Sequence, residues 1–193
     1  MAITNRPETA ETYKDYIEIL KRKYKLRVLG DGAFGTVFQH PTLKNVAVKV
    51  YRQVKWMSAT KWLEWCKKHP ENPYVPKIYK VDSLQIEQEG YQRYLHNVVF
   101  MEKLSRVSST FVDEVLQKTG ASTHVLYKTV DEGRLVYEFY SDSRKNVRTL
   151  KDKKLAEVLL AIDQFGDQSD GTDLRYSNFL RRDQQLVFVD PVR

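Results

Sequence analysis

Gly30-Asp31-Gly32-Ala33-Phe34-Gly35-Thr36-Val37 is the stretch that decides the fold. Three of the chain's eight glycines stand here at the first, third and sixth positions, with a valine two further on. A loop without side chains lets backbone N–H groups come close to phosphate oxygens. The ordinary alternative is a hairpin whose glycines serve only its turn. Dinucleotide-binding folds use similar spacing, but there a helix follows the last glycine. Here the apolar pair Val37-Phe38 follows, then a turn at His40-Pro41 and the compact run Val46-Ala47-Val48-Lys49-Val50. On the near side Leu26 and Val28 alternate with charged neighbours up to Gly30, a strand pattern. The predicted order is strand, glycine loop, strand, turn, strand.

Outward from this core, Tyr13, Tyr16, Ile17, Leu20 and Tyr24 recur at three- and four-residue steps and predict an amphipathic helix from Pro7 to Tyr24, with Asn5 and Glu8 as a capping box. Ser58 caps a second expected helix running to Lys68, and Pro70, Pro73 and Pro76 follow it. Ile78 to Ile86 and Tyr94 to Met101 read as two strands joined at Glu89-Gly90. Ser108 to Lys118 reads as a helix. From Thr123 to Tyr140 two signals compete: local residues favour a hairpin around Glu132-Gly133, while Leu126, Val130, Gly133 and Tyr137 stand at helical spacing. Helix is the expectation adopted. Leu155, Val158, Leu159 and Ile162 form a helical stripe ending near Gly166. Phe179-Leu180, a turn at Asp183-Gln184 and the strand Leu186 to Val189 close the chain. The class is α+β: a five-stranded antiparallel sheet with one helix, then a mainly helical half. The expected organisation is a single domain of two lobes, 1–102 and 103–193.

Composition narrows the function classes. No apolar run approaches the roughly 18 residues that cross a bilayer, and the N-terminus lacks the basic-then-apolar order of a signal peptide. One cysteine, Cys66, permits no internal disulfide, and the four histidines show no metal-ligand spacing. A cytoplasmic setting without membrane partners is expected. The net charge of +7 invites an acidic or nucleic-acid partner. The basic clusters at 21–27 and 144–148 belong to no helix-turn-helix, zinc or RNA-recognition pattern, so no motif supports nucleic acid.

Two further features carry chemistry. Lys49 falls on the strand directly after the glycine hairpin, where a cation meets the α- and β-phosphates of a nucleotide. Its bland reading is the solvent-facing half of an alternating strand. Far along the chain, Asp173-Leu174-Arg175-Tyr176-Ser177-Asn178 sets a carboxylate and a carboxamide five residues apart, and Asp190 ends a short apolar strand. In this reading Asp173 takes or orients a hydroxyl proton, while Asn178 and Asp190 hold Mg²⁺ against a transferring phosphoryl group.

With these residues together, the chain resembles the protein kinases, and among them the early serine/threonine kinases of T-seven-like (podovirus) bacteriophages. The likeness spans roughly Leu26 to Val192. It rests on the short glycine loop, on Asn72-Pro73-Tyr74-Val75-Pro76-Lys77-Ile78-Tyr79, and on Asp173 to Asn178 followed by Val189-Asp190-Pro191-Val192. The resemblance implies a bilobal kinase fold that uses ATP and Mg²⁺ to phosphorylate serine or threonine in host cytoplasmic proteins. It implies nucleotide contacts from Gly30, Gly32, Gly35, Val37 and Lys49, and from the backbone at Glu102 in Met101-Glu102-Lys103-Leu104. It also implies catalytic roles for Asp173, Lys49 and Arg175, and metal ligation by Asn178 and Asp190.

The chain departs from the family pattern in several places. Gly171-Thr172 replaces His-Arg before Asp173, Arg175 stands where a lysine contacts the γ-phosphate, and Pro191 replaces the phenylalanine of Asp-Phe-Gly. Arginine and lysine are not interchangeable at such a site. The sequence closes three residues after Asp190, so a truncated second lobe without an activation segment is expected. Glu64 is the one acidic residue of the second expected helix available to pair with Lys49, at about 140° from its apolar stripe. Trp56, Trp62 and Trp65 read as packing residues. Three functions stay open: an active kinase, a kinase-like protein that binds and inhibits a host factor, and a small-molecule phosphotransferase like the aminoglycoside kinases.

Overall fold

A computed structural model of the chain describes residues 13–32, 35–51, 57–88, 92–131, 133–167 and 171–192. The capping box at Asn5 and Glu8, the loop tip Ala33-Phe34, the turn Glu89-Gly90 and Trp56 lie outside them. The fold is mixed α+β, and its residues group into two compact units. None of its helices among the described residues is long and apolar enough to cross a membrane.

The first unit holds α1 (Tyr13–Tyr24), β1 (Val28–Gly32), β2 (Gly35–Gln39), β3 (Val46–Tyr51), β4 (Ile78–Gln88) and β5 (Gln92–Glu102). The strands form one sheet in the order β1-β2-β3-β5-β4, antiparallel at every step. The expected five-stranded antiparallel sheet is therefore present. Successive strand residues face opposite sides. Val48 and Val50 of β3, Phe38 of β2 and Val98 of β5 share one face with Tyr16, Ile17 and Leu20 of α1. The helix on the sheet is thus the N-terminal one. Its tyrosines do more than fill space. The Tyr13 hydroxyl accepts from the Thr36 N–H at 2.9 Å and donates to the Val50 carbonyl at 2.9 Å. Burial pushes the Tyr16 phenol well above its ordinary pKa, so it stays neutral in the core.

The second unit begins with α2 (Met57–Lys68), which contains Ser58, and packs it on α6 (Lys153–Asp167). Residues 57–76 therefore leave the first unit, although they are contiguous with its strands. The segment after α2 is clamped by side chains. Buried Asn72 donates to the Lys154 carbonyl at 3.0 Å and accepts from the Tyr74 N–H at 3.0 Å. Arg182 donates to the carbonyls of Pro73 and Val75 at 3.1 and 3.0 Å. The two Arg182 bonds satisfy backbone carbonyls that lie outside any regular element.

Beyond residue 104 come β6 (Ser105–Arg106), α3 (Ser109–Lys118), α4 (Ala121–His124), β7 (Leu126–Asp131), β8 (Arg134–Phe139), α5 (Ser143–Thr149), then α6, a 3₁₀ turn (Tyr176–Asn178), β9 (Phe179–Arg182) and β10 (Gln185–Phe188). The Ser108 hydroxyl caps α3 by accepting from Phe111 N–H at 3.2 Å. Helices share this unit with a three-stranded sheet β10-β9-β6 and the β7–β8 hairpin. The helix expected over 123–140 is corrected here. Asp131 of β7 pairs with Arg134 of β8, and Gly133 adopts φ 75°, a conformation that favours glycine. The helical spacing of Leu126, Val130 and Tyr137 is a coincidence overridden by pairing. The short α5, not anticipated, lies under the basic run 144–148.

Gly35 tests the sheet. A Cβ there would stand 2.3 Å from the Val50 carbonyl oxygen, whereas one on Gly30 meets nothing within 4 Å. Gly35→Ala is expected to lose about 2 kcal/mol or more and Gly30→Ala to stay within about 0.5 kcal/mol in urea melts. Equal midpoints for the two variants would refute this packing.

Candidate functional site

The first unit gathers the glycine hairpin and Lys49. Asp31 pairs with Thr36 and Gly32 with Gly35, the last pair between β1 and β2. The Thr36 hydroxyl donates to Asp31 Oδ1 at 2.6 Å, bracing the two strands beside that pair. Gly35 is explained by its approach to β3; Gly30 and Gly32 have open space where a Cβ would stand. Val37 is the cross-strand partner of Lys49, and Val99 flanks Lys49 on the other side. Lys49 lies on the third strand and on the face opposite α1. It is only 5% exposed, and its Nζ sits 4.3 Å from the centre of the Tyr51 ring. A buried ammonium is costly unless compensated, and a ring face supplies part of that compensation.

Glu102 ends β5 and is buried. Its N–H donates to the Lys77 carbonyl at 3.0 Å, and its Oε1 accepts from the Lys77 N–H at 2.8 Å. Of the backbone expected to meet a nucleotide, the Glu102 N–H is thus bonded within the β4–β5 edge. Glu64, the expected partner of Lys49, is exposed on α2 in the other unit. Trp62 is in the core and stacks on Trp65, which stacks in turn on His69.

The second unit gathers Asp173, Arg175, Asn178 and Asp190. Asn178 is the tie. Its Nδ2 donates to the Asp173 carbonyl at 2.8 Å and to the Asp190 carbonyl at 2.9 Å. Two carbonyl acceptors fix which end of the carboxamide is nitrogen. Oδ1 is then the atom left able to ligate. The backbone closes the same ring: Val189 N–H donates to the Asn178 carbonyl at 3.0 Å, and Asp173 N–H to the Pro191 carbonyl at 2.7 Å. Thr172 bridges Val192. Gly171 adopts φ 110°, a turn that a side chain would strain.

Asp173 is 2% exposed, and its Oδ1 lies 3.3 Å from Arg175 Nε, an electrostatic contact without hydrogen-bond alignment. Asp190 is half-buried. Cys66 of α2 lies within its field: burial first, then the Asp190 charge, pushes this thiol well above its ordinary pKa. Among the described residues no group of three or more His, Cys, Asp and Glu is assembled to hold a metal. One carboxylate, one carboxamide oxygen and phosphate oxygens need no such group to hold Mg²⁺.

The β7–β8 hairpin supports this loop, a role the expected helix had hidden. Tyr137 N–H donates to the Leu174 carbonyl at 3.0 Å, and Val136 bridges Arg175. The hairpin is anchored to α3 through Asp113, whose Oδ1 accepts from the Tyr137 hydroxyl at 2.7 Å and whose Oδ2 meets Lys128 Nζ at 2.6 Å. Burial and the Asp113 contact push the Tyr137 phenol up, keeping it a donor. Tyr176 fixes the other side by donating to the Val107 carbonyl. The β-branched and apolar residues Thr129, Val130, Leu135 and Val136 on either side of Glu132-Gly133 were the available signal for the hairpin; nothing local marks Asp113.

No protein-family model matches the chain, and no curated protein matches it at a significant level.

Asn178→Ala is expected to lower stability by about 1–3 kcal/mol, because two backbone acceptors lose their donor; an unchanged urea midpoint would show the tie to be idle. Cys66, 1% exposed with a raised pKa, should react with a thiol reagent at mildly alkaline pH only after unfolding. Fast labelling of the folded protein contradicts its placement.

Proposed function

We propose that this protein is an ATP-dependent phosphotransferase of the serine/threonine protein kinase type, with bilobal organisation and protein substrates in a host cytoplasm. The observation that carries the proposal is the Asn178 tie, which holds the loop bearing Asp173 and the strand end bearing Asp190 side by side. A carboxylate, a carboxamide and a second carboxylate in that arrangement match what kinase chemistry requires. Lys49 on the third strand of a glycine hairpin is the second support.

In this proposal the N–H groups of the hairpin around Gly30, Gly32 and Gly35 cradle phosphate oxygens, with Val37 against the nucleotide, and Lys49 offsets the charge of the α- and β-phosphates. Bound Mg²⁺ would supply charge stabilisation to the transferring phosphoryl group, and Asn178 Oδ1 and the Asp190 carboxylate are the atoms suited to hold it. Asp173 orients the acceptor hydroxyl and takes its proton as the γ-phosphoryl passes to the serine or threonine oxygen. Arg175, whose guanidinium touches Asp173, orients that carboxylate and offers positive charge to the phosphoryl oxygens.

One observation favours a second reading. Asp173 is buried against Arg175, which suits a kinase-like protein that binds and inhibits a host factor without transfer. Incubation with Mg²⁺ and γ-labelled ATP, alone and with bacterial lysate, separates the two. Wild type is expected to label proteins, chelation to abolish the label, and Lys49→Ala and Asp190→Asn to reduce it by about 10²–10³. Undiminished labelling in Asp190→Asn removes its assigned role. A wild type that labels nothing yet retains a lysate protein selects the binding reading.

A further inference from the structure

A cavity of about 650 Å³ opens in the second unit where the end of α3, the α5–α6 junction and the β9–β10 turn meet. Its floor is buried and largely apolar, formed by Tyr74, Leu150 and Leu186. Its rim is exposed and carries Lys118 and Lys151. None of these residues belongs to the set around Asp173 and Asp190.

Three properties define what the cavity can take. The first is charge. Asp152, the one carboxylate among the described lining residues, is already engaged: Oδ2 accepts from the Tyr74 hydroxyl at 2.5 Å and Oδ1 from the Leu155 N–H at 3.0 Å. The lysines face a ligand without an unengaged acidic neighbour in the lining, and α5 adds exposed Lys145 and Arg148 beside its lining residues Asn146 and Thr149. The second is size. The volume lies in the range that encloses a sizeable organic ligand, far beyond a single phosphate. The third is hydrogen bonding. Gln117 and Gln184 are among the lining residues, and a carboxamide both donates and accepts, as a peptide backbone requires; the Gln185 carboxamide is already engaged, its Nε2 donating to the Leu186 carbonyl at 3.1 Å.

We propose that this cavity docks an extended acidic peptide segment of a partner protein. Its lysines pair with carboxylates, its amides meet the backbone, and the apolar floor takes one uncharged side chain. Nucleic acid fits less well. Base binding relies on exposed aromatic faces, and the aromatic residue in the lining, Tyr74, is 5% exposed with its hydroxyl bonded to Asp152.

Fluorescence anisotropy of a fluorescein-labelled peptide alternating Glu and Gly, with one central Leu, tests the proposal on the full chain. Saturable binding is expected, weakened about tenfold or more in Lys118→Glu/Lys151→Glu, where two attractions become repulsions. Lys118→Ala, which adds no charge, should show a smaller loss in the same direction, and thermal melts verify that both variants fold. Absent binding, or equal affinity in wild type and the charge-reversed variant, overturns the proposal. So does a single-stranded oligonucleotide that displaces the peptide and binds more tightly. Because binding is read directly, the result is independent of whether the protein transfers phosphate.

Discussion

The register of the β9–β10 hairpin governs where Asp173, Asn178 and Asp190 stand. Phe179 opposite Phe188 and Arg182 opposite Gln185 set Asn178 beside Val189 and Asp190. From there one carboxamide bonds two backbones that lie five and twelve residues away. A slip of one residue would turn every side chain of the pair to the opposite face and break both bonds. The register is held by burial: Phe179 packs between Tyr137 and Phe188, with ring centres 5.2 and 5.1 Å away. Hydrophobic packing thus determines where two carboxylates stand.

In the first unit the comparable constraint is the alternation of β3. Val48 and Val50 bury themselves under α1, which forces Lys49 onto the opposite face. Lys49 is held there 5% exposed, its ammonium over the Tyr51 ring. The same strand anchors the glycine hairpin from below. Tyr13, Thr36 and Asp31 form a continuous hydrogen-bonded path from α1 through β2 to β1.

The second unit shows how supports for a loop come from distant sequence. Asp113 on α3 holds Tyr137 and Lys128 of the hairpin, and β8 in turn bonds the backbone at Leu174 and Arg175. Residues 57–76 join this unit because Trp62, Leu63 and Cys66 present an apolar face to α6 and because Arg182 and Asn72 capture the proline-rich turn. Grouping by chain order put this segment with the strands; contacts put it elsewhere.

Much of the architecture was legible because it depends on short-range periodicity. The two-residue alternation of Val46 to Val50, the 3.6-residue stripe of Leu155 to Ile162 and the spacing of three glycines each state their element locally. So did the type and order of the residues from Asp173 to Asp190. The hairpin at 126–139 was not legible, because Leu126, Val130 and Tyr137 satisfy two periods at once, and only pairing across Gly133 separates them. Nor could sequence reveal that the Glu102 amide is spent on Lys77, that Glu64 points to solvent, or that Arg175 touches Asp173. Those outcomes are decided by which groups compete for a partner once the chain is compact. By itself the sequence determined the residue types and the periods; tertiary structure alone decided the partners, because hydrogen bonds and burial are allotted among residues far apart along the chain.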